Sequence, residues 1–336
     1  MRGAALAWML VLASCGKKTA ATIAADPAPS AKSAPALVMA DSTERITATK
    51  ASRLVASGQA HPWSIFVDER WVWWSNKGKG TGDGAILRVP KAGGPIEPIC
   101  TDLDAPYGIA VGEERLAFGV SRPGKGGYGV WKLSELSAGT CGHLALKDHE
   151  PWALVITGGF LYFSDLRAHA IERVALEDAA RTTVATTKGR PVGLAVDATH
   201  AFFTDSDPGV VAKAPLAGGP VVELYKGGDK TTGIAIDATD VYWSEWGSGR
   251  IAKVSKNGGT VTVLATDQKG ARAIAIDGQR VFFTHPPSGS IRSVAKSGGP
   301  VTIHATGQKH PYSVAVDGKS IFWANVDGGT VEAVDK

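Results

Sequence analysis

The sequence predicts an all-β protein, a seven-bladed β-propeller built from four-stranded antiparallel blades. Three observations support this: a phrase that repeats about every 40 residues, four strand patterns in each repeat, and no helical period. The phrase, Pro-x-x-Ile-Ala-Val-Asp and its variants, occurs at Pro62–Asp68, Pro106–Gly112, Pro151–Thr157, Pro191–Asp197, Thr231–Asp237, Ala271–Asp277 and Pro311–Asp317. Units of this kind cannot bury their apolar faces alone, so they stack on one another.

The fifth repeat, residues 231–270, shows the strands of one blade most clearly. In order, the strand patterns are Gly233–Asp237, Val241–Glu245, Arg250–Val254 and Thr260–Leu264. Between the last two, Asn257-Gly-Gly259 predicts a tight hairpin, because Asn and Gly accept positive φ. Such alternation of short strands and turns is typical of a propeller blade.

The second strand of most repeats carries two adjacent aromatic residues. The pairs are Trp73-Trp74, Tyr162-Phe163, Phe202-Phe203, Tyr242-Trp243, Phe282-Phe283 and Phe322-Trp323, and the second repeat has Ala117-Phe118 instead. Each ring buries a large apolar area. We therefore expect these pairs to pack between neighbouring blades.

The two ends of the propeller are predicted to share one blade. The seventh repeat ends at Lys336, just after its third strand, and residues 49–62 resemble residues 297–311. An open blade edge would expose unpaired backbone groups. The segment 47–56 is therefore expected to supply the outer strand of the last blade and to close the ring.

The N-terminus indicates export and lipidation. Ala4–Ala13 is an apolar run too short to span a bilayer, and it ends in Leu12-Ala-Ser-Cys15-Gly16. That ending resembles the bacterial lipobox, which implies cleavage before Cys15 and acylation of its thiol and new amino group. The expected organisation is a signal peptide at 1–14, a lipidated Cys15 with a flexible Ala/Ser/Pro-rich tether at 15–45, and the propeller at 46–336. A plain secretory signal is the alternative.

A lipidated Cys15 implies attachment to the lipid bilayer of the cell envelope. Gly16, where an Asp would retain many lipoproteins at the inner membrane, resembles outer-membrane sorting and favours the outer membrane over the inner one. The net charge of +4 is small and scattered, which argues against a nucleic-acid partner. We expect a monomer whose partner is an envelope protein, a peptide or a glycan.

Two further cysteines, Cys100 and Cys141, lie in the first two repeats. An even pair in an oxidising compartment suggests a disulfide. However, the outer strands of neighbouring blades diverge, and a disulfide needs Cα atoms within about 7 Å. Two separate thiols therefore remain the alternative.

Polar residues end several of the second strands, at the expected mouth of the central channel. These positions are Asn76, Val120, Asp165, Asp205, Glu245, His285 and Asn325. One hypothesis is that Asp165, Asp205, Glu245 and His285 form an acidic arc that could bind a divalent cation or a basic ligand. The alternative is that each side chain caps its own loop by accepting backbone N–H groups.

A second ring at the mouth is formed by the residue after each Pro of the phrase. Its members are Trp63, Tyr107, Trp152, Val192, Thr232, Arg272 and Tyr312. The four aromatic members, Trp63, Tyr107, Trp152 and Tyr312, fall on consecutive blades of a closed ring. They form a platform for a sugar, an aromatic compound or a peptide if they face the channel, and they are core if they lie between blades.

Two families share parts of this pattern. Asp240–Val254 resembles the Tyr-Trp-Thr-Asp repeat of low-density-lipoprotein-receptor propellers, although Ser244 and Glu245 replace Thr and Asp. Pro106–Val111 is similar to the phrase of streptogramin-lyase-type propellers, and the whole resembles uncharacterised bacterial propeller lipoproteins. These resemblances imply the fold, which serves both binding and catalysis.

The main functional hypothesis is therefore a lipid-anchored binding or interaction module. The alternative is a channel-mouth enzyme, a metal-assisted lyase or hydrolase. No strong metal-ligand spacing or nucleophile motif identifies catalytic residues or a cofactor.

Overall fold

The computed structural model describes residues 37–39, 44–45, 50–120, 126–135, 139–141, 144–145 and 149–336. They form seven sheets, each of which contains a four-stranded meander. The first strands of successive blades contact one another in chain order, and that of blade seven contacts that of blade one. The predicted seven-bladed propeller is therefore confirmed.

The first and second strands of each blade form the inner half of the sheet. The first strands are Pro62–Val67, Pro106–Gly112, Pro151–Thr157, Pro191–Val196, Thr231–Ile236, Ile274–Ile276 and Pro311–Val316. The second strands are Trp71–Asn76, Arg115–Val120, Phe160–Asp165, His200–Asp205, Asp240–Glu245, Arg280–His285 and Ser320–Asn325. Every second strand is almost completely buried, because it packs against both neighbouring blades.

The third and fourth strands form the outer half. The third strands are Gly84–Pro90, Gly127–Lys132, Ala170–Ala175, Val210–Pro215, Ile251–Ser255, Ser290–Ala295 and Thr330–Asp335. The fourth strands are Glu97–Leu103, Leu144–Ala145, Arg181–Thr186, Val222–Lys226, Val261–Ala265, Val301–Ala305 and Arg53–Ala56. In the described part of the chain, 3₁₀ turns lie at Leu133–Glu135 and Pro286–Ser288. Within the described ranges, no helix has the length and hydropathy needed to cross a membrane.

The apolar core is divided among the seven interfaces between blades. At the interface of blades five and six, Tyr242 packs in one cluster with Phe283. The same pattern, a first aromatic of one blade with the second aromatic of the next, recurs around the ring. Burying a large apolar side chain contributes about 1.5–3 kcal/mol. The predicted role of the aromatic pairs is confirmed.

Blade two replaces its first aromatic with Ala117, and a third-strand residue fills the space. The ring centroid of Tyr128 lies 5.3 Å from that of Phe163 in blade three. Tyr128, Ala117 and Phe163 belong to the same buried cluster. The interface keeps two rings, although one of them comes from another strand.

The N-terminal strand closes the last blade as predicted. Arg53–Ala56 runs antiparallel to Thr330–Asp335, with Arg53 opposite Ala333 and Leu54 opposite Glu332. Ala56 is buried in the cluster between blades seven and one. Residues 47–49 of the predicted closing segment lie outside the described residues.

The chain also pairs with the propeller before residue 46. Leu37–Met39 lies parallel to the outer strand of blade five, and Glu44–Arg45 lies parallel to that of blade six. We call these two strands the strap. The strap falls inside the predicted tether, so pairing with the propeller begins earlier than the sequence suggested. The predicted signal peptide and Cys15 lie outside the described residues.

Cys100 and Cys141 form a disulfide, with Cα atoms 5.1 Å apart. After its third strand, blade two sends Gly139–Thr140 to pair in parallel with blade one, before Leu144–Ala145 returns as its fourth strand. This excursion brings Cys141 to Cys100, although the outer strands themselves diverge. The alternative of two separate thiols is therefore wrong.

Ion pairs link neighbouring blades at the end of the ring opposite the mouth. Each joins the Asp that ends a phrase to a Lys near the outer hairpin or third-strand end of the next blade. The pairs are Asp197–Lys256, Asp237–Lys296, Asp277–Lys336 and Asp317–Lys91. We call this set the interblade belt. The last pair joins blade seven to blade one, so the belt crosses the point of closure.

Candidate functional site

The mouth of the central channel lies where each first strand begins and each second strand ends. In blade one, Pro62 lies opposite Asn76, and the register shifts between Pro62 and Ile65. A bulge of this kind re-aims the side chains that it contains. The same shift follows the first residue of the strand in blades two, three, four, five and seven.

The residue after each Pro position faces the channel. All seven members of the predicted second ring line one cavity of about 470 Å³. They are Trp63, Tyr107, Trp152, Val192, Thr232, Arg272 and Tyr312. Of the two interpretations of this ring, the structure supports the side chains facing the channel and not the core between blades.

The four aromatic members contact one another. The ring centroids of Trp63 and Tyr312 are 3.9 Å apart, and those of Tyr107 and Trp152 are 4.9 Å apart and stacked. Trp63 meets Tyr107 edge to face at 5.1 Å. We call this group the aromatic platform. Trp63, Tyr107 and Trp152 remain partly exposed, whereas Tyr312 is buried.

Two cations border the platform. The guanidinium carbon of Arg272 lies 4.1 Å from the ring centroid of Tyr312, and its Nη2 donates a 2.6 Å hydrogen bond to the Tyr312 hydroxyl. Lys77 Nζ lies 5.2 Å from the Trp63 ring and 5.3 Å from the Tyr107 ring. Burial raises the pKa of the Tyr312 phenol, although Arg272 opposes this, so Tyr312 stays neutral at physiological pH.

Small residues directly behind the ring allow the first strands to approach closely. A Cβ on Gly233 would lie 2.6 Å from the carbonyl oxygen of Arg272 in the next blade. Gly108 and Gly193 meet the carbonyls of Trp152 and Thr232 in the same way. The glycines of the phrase therefore set the channel width at the mouth.

Hydroxyl groups that were not predicted from the sequence join neighbouring blades below the mouth. The second-strand hydroxyls donate to backbone carbonyls of the residues that line the mouth in the next blade. The bridges run from Ser75 to Tyr107, from Thr204 to Thr232, from Ser244 to Arg272 and from Thr284 to Tyr312. The signal was present in the sequence, because Ser or Thr precedes the last second-strand residue in five repeats: Ser75, Ser164, Thr204, Ser244 and Thr284.

Asp165 caps the loops of its own blade. Its carboxylate accepts backbone N–H groups of Glu150, Arg167 and Ala168 at 2.9–3.0 Å. It also shares a 2.6 Å contact with Nδ1 of His149. This arrangement matches the capping alternative and leaves little of the carboxylate for a shared ligand.

Glu245 and Asp205 are also engaged within their own surroundings. Glu245 pairs with Arg250 at 3.3 Å and accepts from the indole N–H of Trp243. Asp205 accepts the backbone N–H groups of Lys188 and Gly189. Burial raises the pKa of Asp205, although these two N–H groups oppose it.

His285 is buried, and its Nδ1 shares a 2.7 Å hydrogen bond with the Ser288 hydroxyl. The predicted acidic arc is therefore not brought together as one site, because each member turns toward its own loops. The described residues contain no group of three or more His, Cys, Asp or Glu that could hold a metal. None of the four arc residues lines the cavity.

No protein-family model matches the chain, and no curated protein matches its sequence. Among solved structures, selenomethionine-substituted virginiamycin B lyase from Staphylococcus aureus superposes with a TM-score of 0.71 and 15% identity, covering 85% of this chain and 98% of that one. A catalytically inactive variant of this lyase with quinupristin gives 0.69 and 16% identity, over 84% and 98%. The WD40 propeller domain of Doa1 gives 0.68 and 12%, over 86% and 97%. At these identities the similarity establishes the propeller fold alone.

Proposed function

We propose that this chain is a lipid-anchored protein of the cell envelope whose propeller binds a ligand at the aromatic platform. The observation that carries the binding proposal is the convergence of Trp63, Tyr107, Trp152 and Tyr312 on one cavity. A propeller fold is consistent with an interaction module.

The cavity has the properties of a ligand site. Its volume of about 470 Å³ lies within the usual range for small-molecule pockets. Trp63, Tyr107 and Trp152 keep part of their surface exposed, although most aromatic residues of the propeller are fully buried between blades. Exposed aromatic rings in a concave site give apolar contact at a small entropic cost. An envelope protein, a peptide or a glycan could supply the bound group.

Two features favour the envelope location. The segment Leu12–Gly16, at the end of the apolar run, resembles a lipobox and would place three acyl chains on Cys15. The Cys100–Cys141 disulfide is typical of an oxidising compartment such as the periplasm or the cell surface. The bilayer is thus the proposed partner of the N-terminus, and the outer membrane is favoured over the inner one.

Binding at the platform can be tested by tryptophan fluorescence and calorimetry. The full chain, purified in detergent, is titrated with panels of glycans, aromatic compounds and envelope peptides. Trp63→Ala is expected to abolish binding of any ligand found. Trp246→Ala is the matched control, because Trp246 is exposed on a loop outside the cavity lining. Ligands that bind Trp63→Ala as tightly as the parent chain would contradict the proposal.

Anchoring is tested separately by Cys15→Ser. The parent chain is expected to incorporate labelled fatty acid and to float with outer-membrane vesicles, whereas Cys15→Ser is expected to incorporate none. Equal fatty-acid labelling of the two chains, or none in either, would exclude the anchor and leave the binding proposal intact.

A further inference from the structure

We infer that the ligand of the aromatic platform is a small ring compound that carries a carboxylate. This inference rests on the proposed binding function and deepens it by assigning the charge and shape of the ligand. The predicted acidic arc would have favoured a positively charged ligand, whereas this inference assigns the ligand a negative charge.

The charge of the cavity is positive. Of the described residues that line it, Arg272 is the only charged one. Asp165, Asp205 and Glu245 lie outside the lining and are held by backbone N–H groups, His149 or Arg250. A ligand in the cavity therefore meets a cation directly, whereas these three carboxylates do not line the cavity.

The guanidinium of Arg272 has N–H donors available for a ligand. A guanidinium carries five N–H donors, and the structure gives this one a single side-chain acceptor, the Tyr312 hydroxyl. In the described part of the chain, Arg272 is paired with no carboxylate. The Tyr312 oxygen accepts from Arg272, so its own O–H remains able to donate. A planar guanidinium beside a hydroxyl donor is suited to a carboxylate, which accepts two parallel hydrogen bonds.

The aromatic platform extends from this anion site toward a second cation. Arg272 stacks on Tyr312, Tyr312 packs on Trp63, and Trp63 lies under Lys77. Lys77 likewise has no carboxylate partner within the described ranges. The aromatic platform therefore offers the faces of its rings between two positive charges. A ring that carries a carboxylate would cover the rings and reach one cation with its charged group.

Two sources share this chemistry: acidic sugars and aromatic carboxylic acids. Isothermal titration of the full chain in detergent uses matched pairs, glucuronic acid against glucose and phenylacetate against benzyl alcohol. The acid of at least one pair is expected to bind about tenfold or more tightly than its neutral partner, because only the acid can accept charge-assisted hydrogen bonds from Arg272. The pair in which the acid binds more tightly shows whether the ligand is an acidic sugar or an aromatic carboxylic acid.

Variants then locate the anion site. Arg272→Gln is expected to lower acid affinity about tenfold or more and to leave the neutral partner unchanged. Lys77→Met keeps an apolar stem over the rings and is expected to lower acid affinity by a smaller factor. The controls are Arg70→Gln, in the turn at the opposite end of blade one, and Lys226→Met, exposed on the outer strand of blade four. Both are expected to bind as the parent chain does.

The outcomes separate this inference from the broader proposal. Equal affinity of acid and neutral probes, no binding of either acid at millimolar concentration, or unchanged acid binding by folded Arg272→Gln would overturn it. If a neutral glycan or a peptide still bound in a manner that depends on Trp63, the binding function would stand without the carboxylate. If no ligand depended on Trp63, both would fail.

Discussion

The hydroxyl of Thr204 donates a 2.6 Å hydrogen bond to the carbonyl oxygen of Thr232 in the next blade. The hydroxyl oxygen of Thr204 also accepts the backbone N–H of Gly193, in the same blade as Thr204, at 2.9 Å. Thr204 is fully buried and lies just below the mouth. One side chain thus satisfies the N–H group freed by the bulge and ties two blades together.

Thr204→Val removes this hydroxyl without changing the side-chain shape. The buried N–H of Gly193 and the carbonyl of Thr232 then lose a partner, so the free energy of unfolding is expected to fall by about 1–3 kcal/mol. Urea unfolding followed by circular dichroism measures it. Thr306→Val, at an exposed loop position, is the control and is expected to change stability little. A Thr204→Val chain as stable as the control would show that the bridge does not stabilise the ring.

Because of the interblade belt, the free energy of unfolding is expected to depend on pH in the acid range. Burial would raise the pKa of Asp237, but hydrogen bonds from Lys296 and from the backbone N–H groups of Asp240 and Thr239 outweigh it and lower the pKa well below its usual range. A depressed carboxylate pKa stabilises the fold above the unfolded value of about 3.9, and this stability is lost as pH falls below it.

Lys296→Met removes the charge and keeps an apolar stem near the Tyr242 ring, whose centroid lies 5.0 Å from Lys296 Nζ. The free energy of unfolding at pH 7 is expected to fall by about 0.5–1 kcal/mol, since the pair is partly exposed. The difference from the parent chain should shrink only as pH falls toward the lowered pKa of folded Asp237, because above that range the carboxylate is ionised in both folded chains. Lys226→Met, outside the belt, is the control. A loss of stability in Lys226→Met as large as that in Lys296→Met would rule out the ion pair as its cause.

His304 is expected to make the free energy of unfolding depend on pH in a second, separate range. Burial, with a contribution from the positive charge of Arg280, lowers its pKa to about 4. Because this lies below the unfolded value of about 6.5, the unfolded state takes up the proton first, and stability is lost as pH falls from 6.5 to 4. At about 1.4 kcal/mol per pKa unit, this shift corresponds to a loss of free energy of unfolding on the order of 3 kcal/mol.

His304→Gln retains a hydrogen-bonding group near the Ser293 hydroxyl, which contacts His304 at 2.7 Å. The variant is expected to lack that part of the pH dependence when urea unfolding is compared at pH 7 and pH 4.5. His200→Gln, at the first residue of the second strand of blade four, tests whether any histidine has this effect. Parallel pH curves for His304→Gln and the parent chain would contradict the assignment.

The fold could be predicted because its signals repeat. The phrase gives the register of the first strand, so the residue after Pro could be placed at the mouth, and Trp63 and Tyr312 do lie together there. The aromatic pairs could be assigned to the interfaces because a pattern that recurs in six of the seven repeats is expected to serve the same purpose in each. The closing strand was visible as the missing quarter of the last repeat.

What the sequence could not show depends on partners that come from loops. Asp165 and Glu245 occupy the predicted positions, but the directions of their carboxylates are set by neighbouring N–H groups, His149 and Arg250. The strap was missed because it pairs through backbone groups, which any extended segment offers to an open edge. The disulfide depends on a crossing loop that departs from the repeat.

The closing strand and the strap should differ in importance, although both are short edge strands. Arg53–Ala56 completes a four-stranded blade and buries Ala56 against Val331 and Ala333. Leu37–Met39 adds a fifth strand to a blade that already has four. Replacing residues 53–56 with Gly-Ser-Gly-Ser would remove the pairing that joins the two ends of the ring, and each lost hydrogen bond costs about 0.5–1.5 kcal/mol.

That replacement is expected to lower the free energy of unfolding by roughly 2 kcal/mol or more and to promote association through the exposed edge of Thr330–Asp335. Replacing residues 37–39 with Gly-Ser-Gly, the matched control, should lower the free energy of unfolding by less and leave the association state of the parent chain unchanged. Urea unfolding and light scattering at several protein concentrations measure both effects. Equal losses for the two replacements would mean that ring closure gives the 53–56 strand no special role, because an ordinary edge strand would then stabilise the propeller equally well.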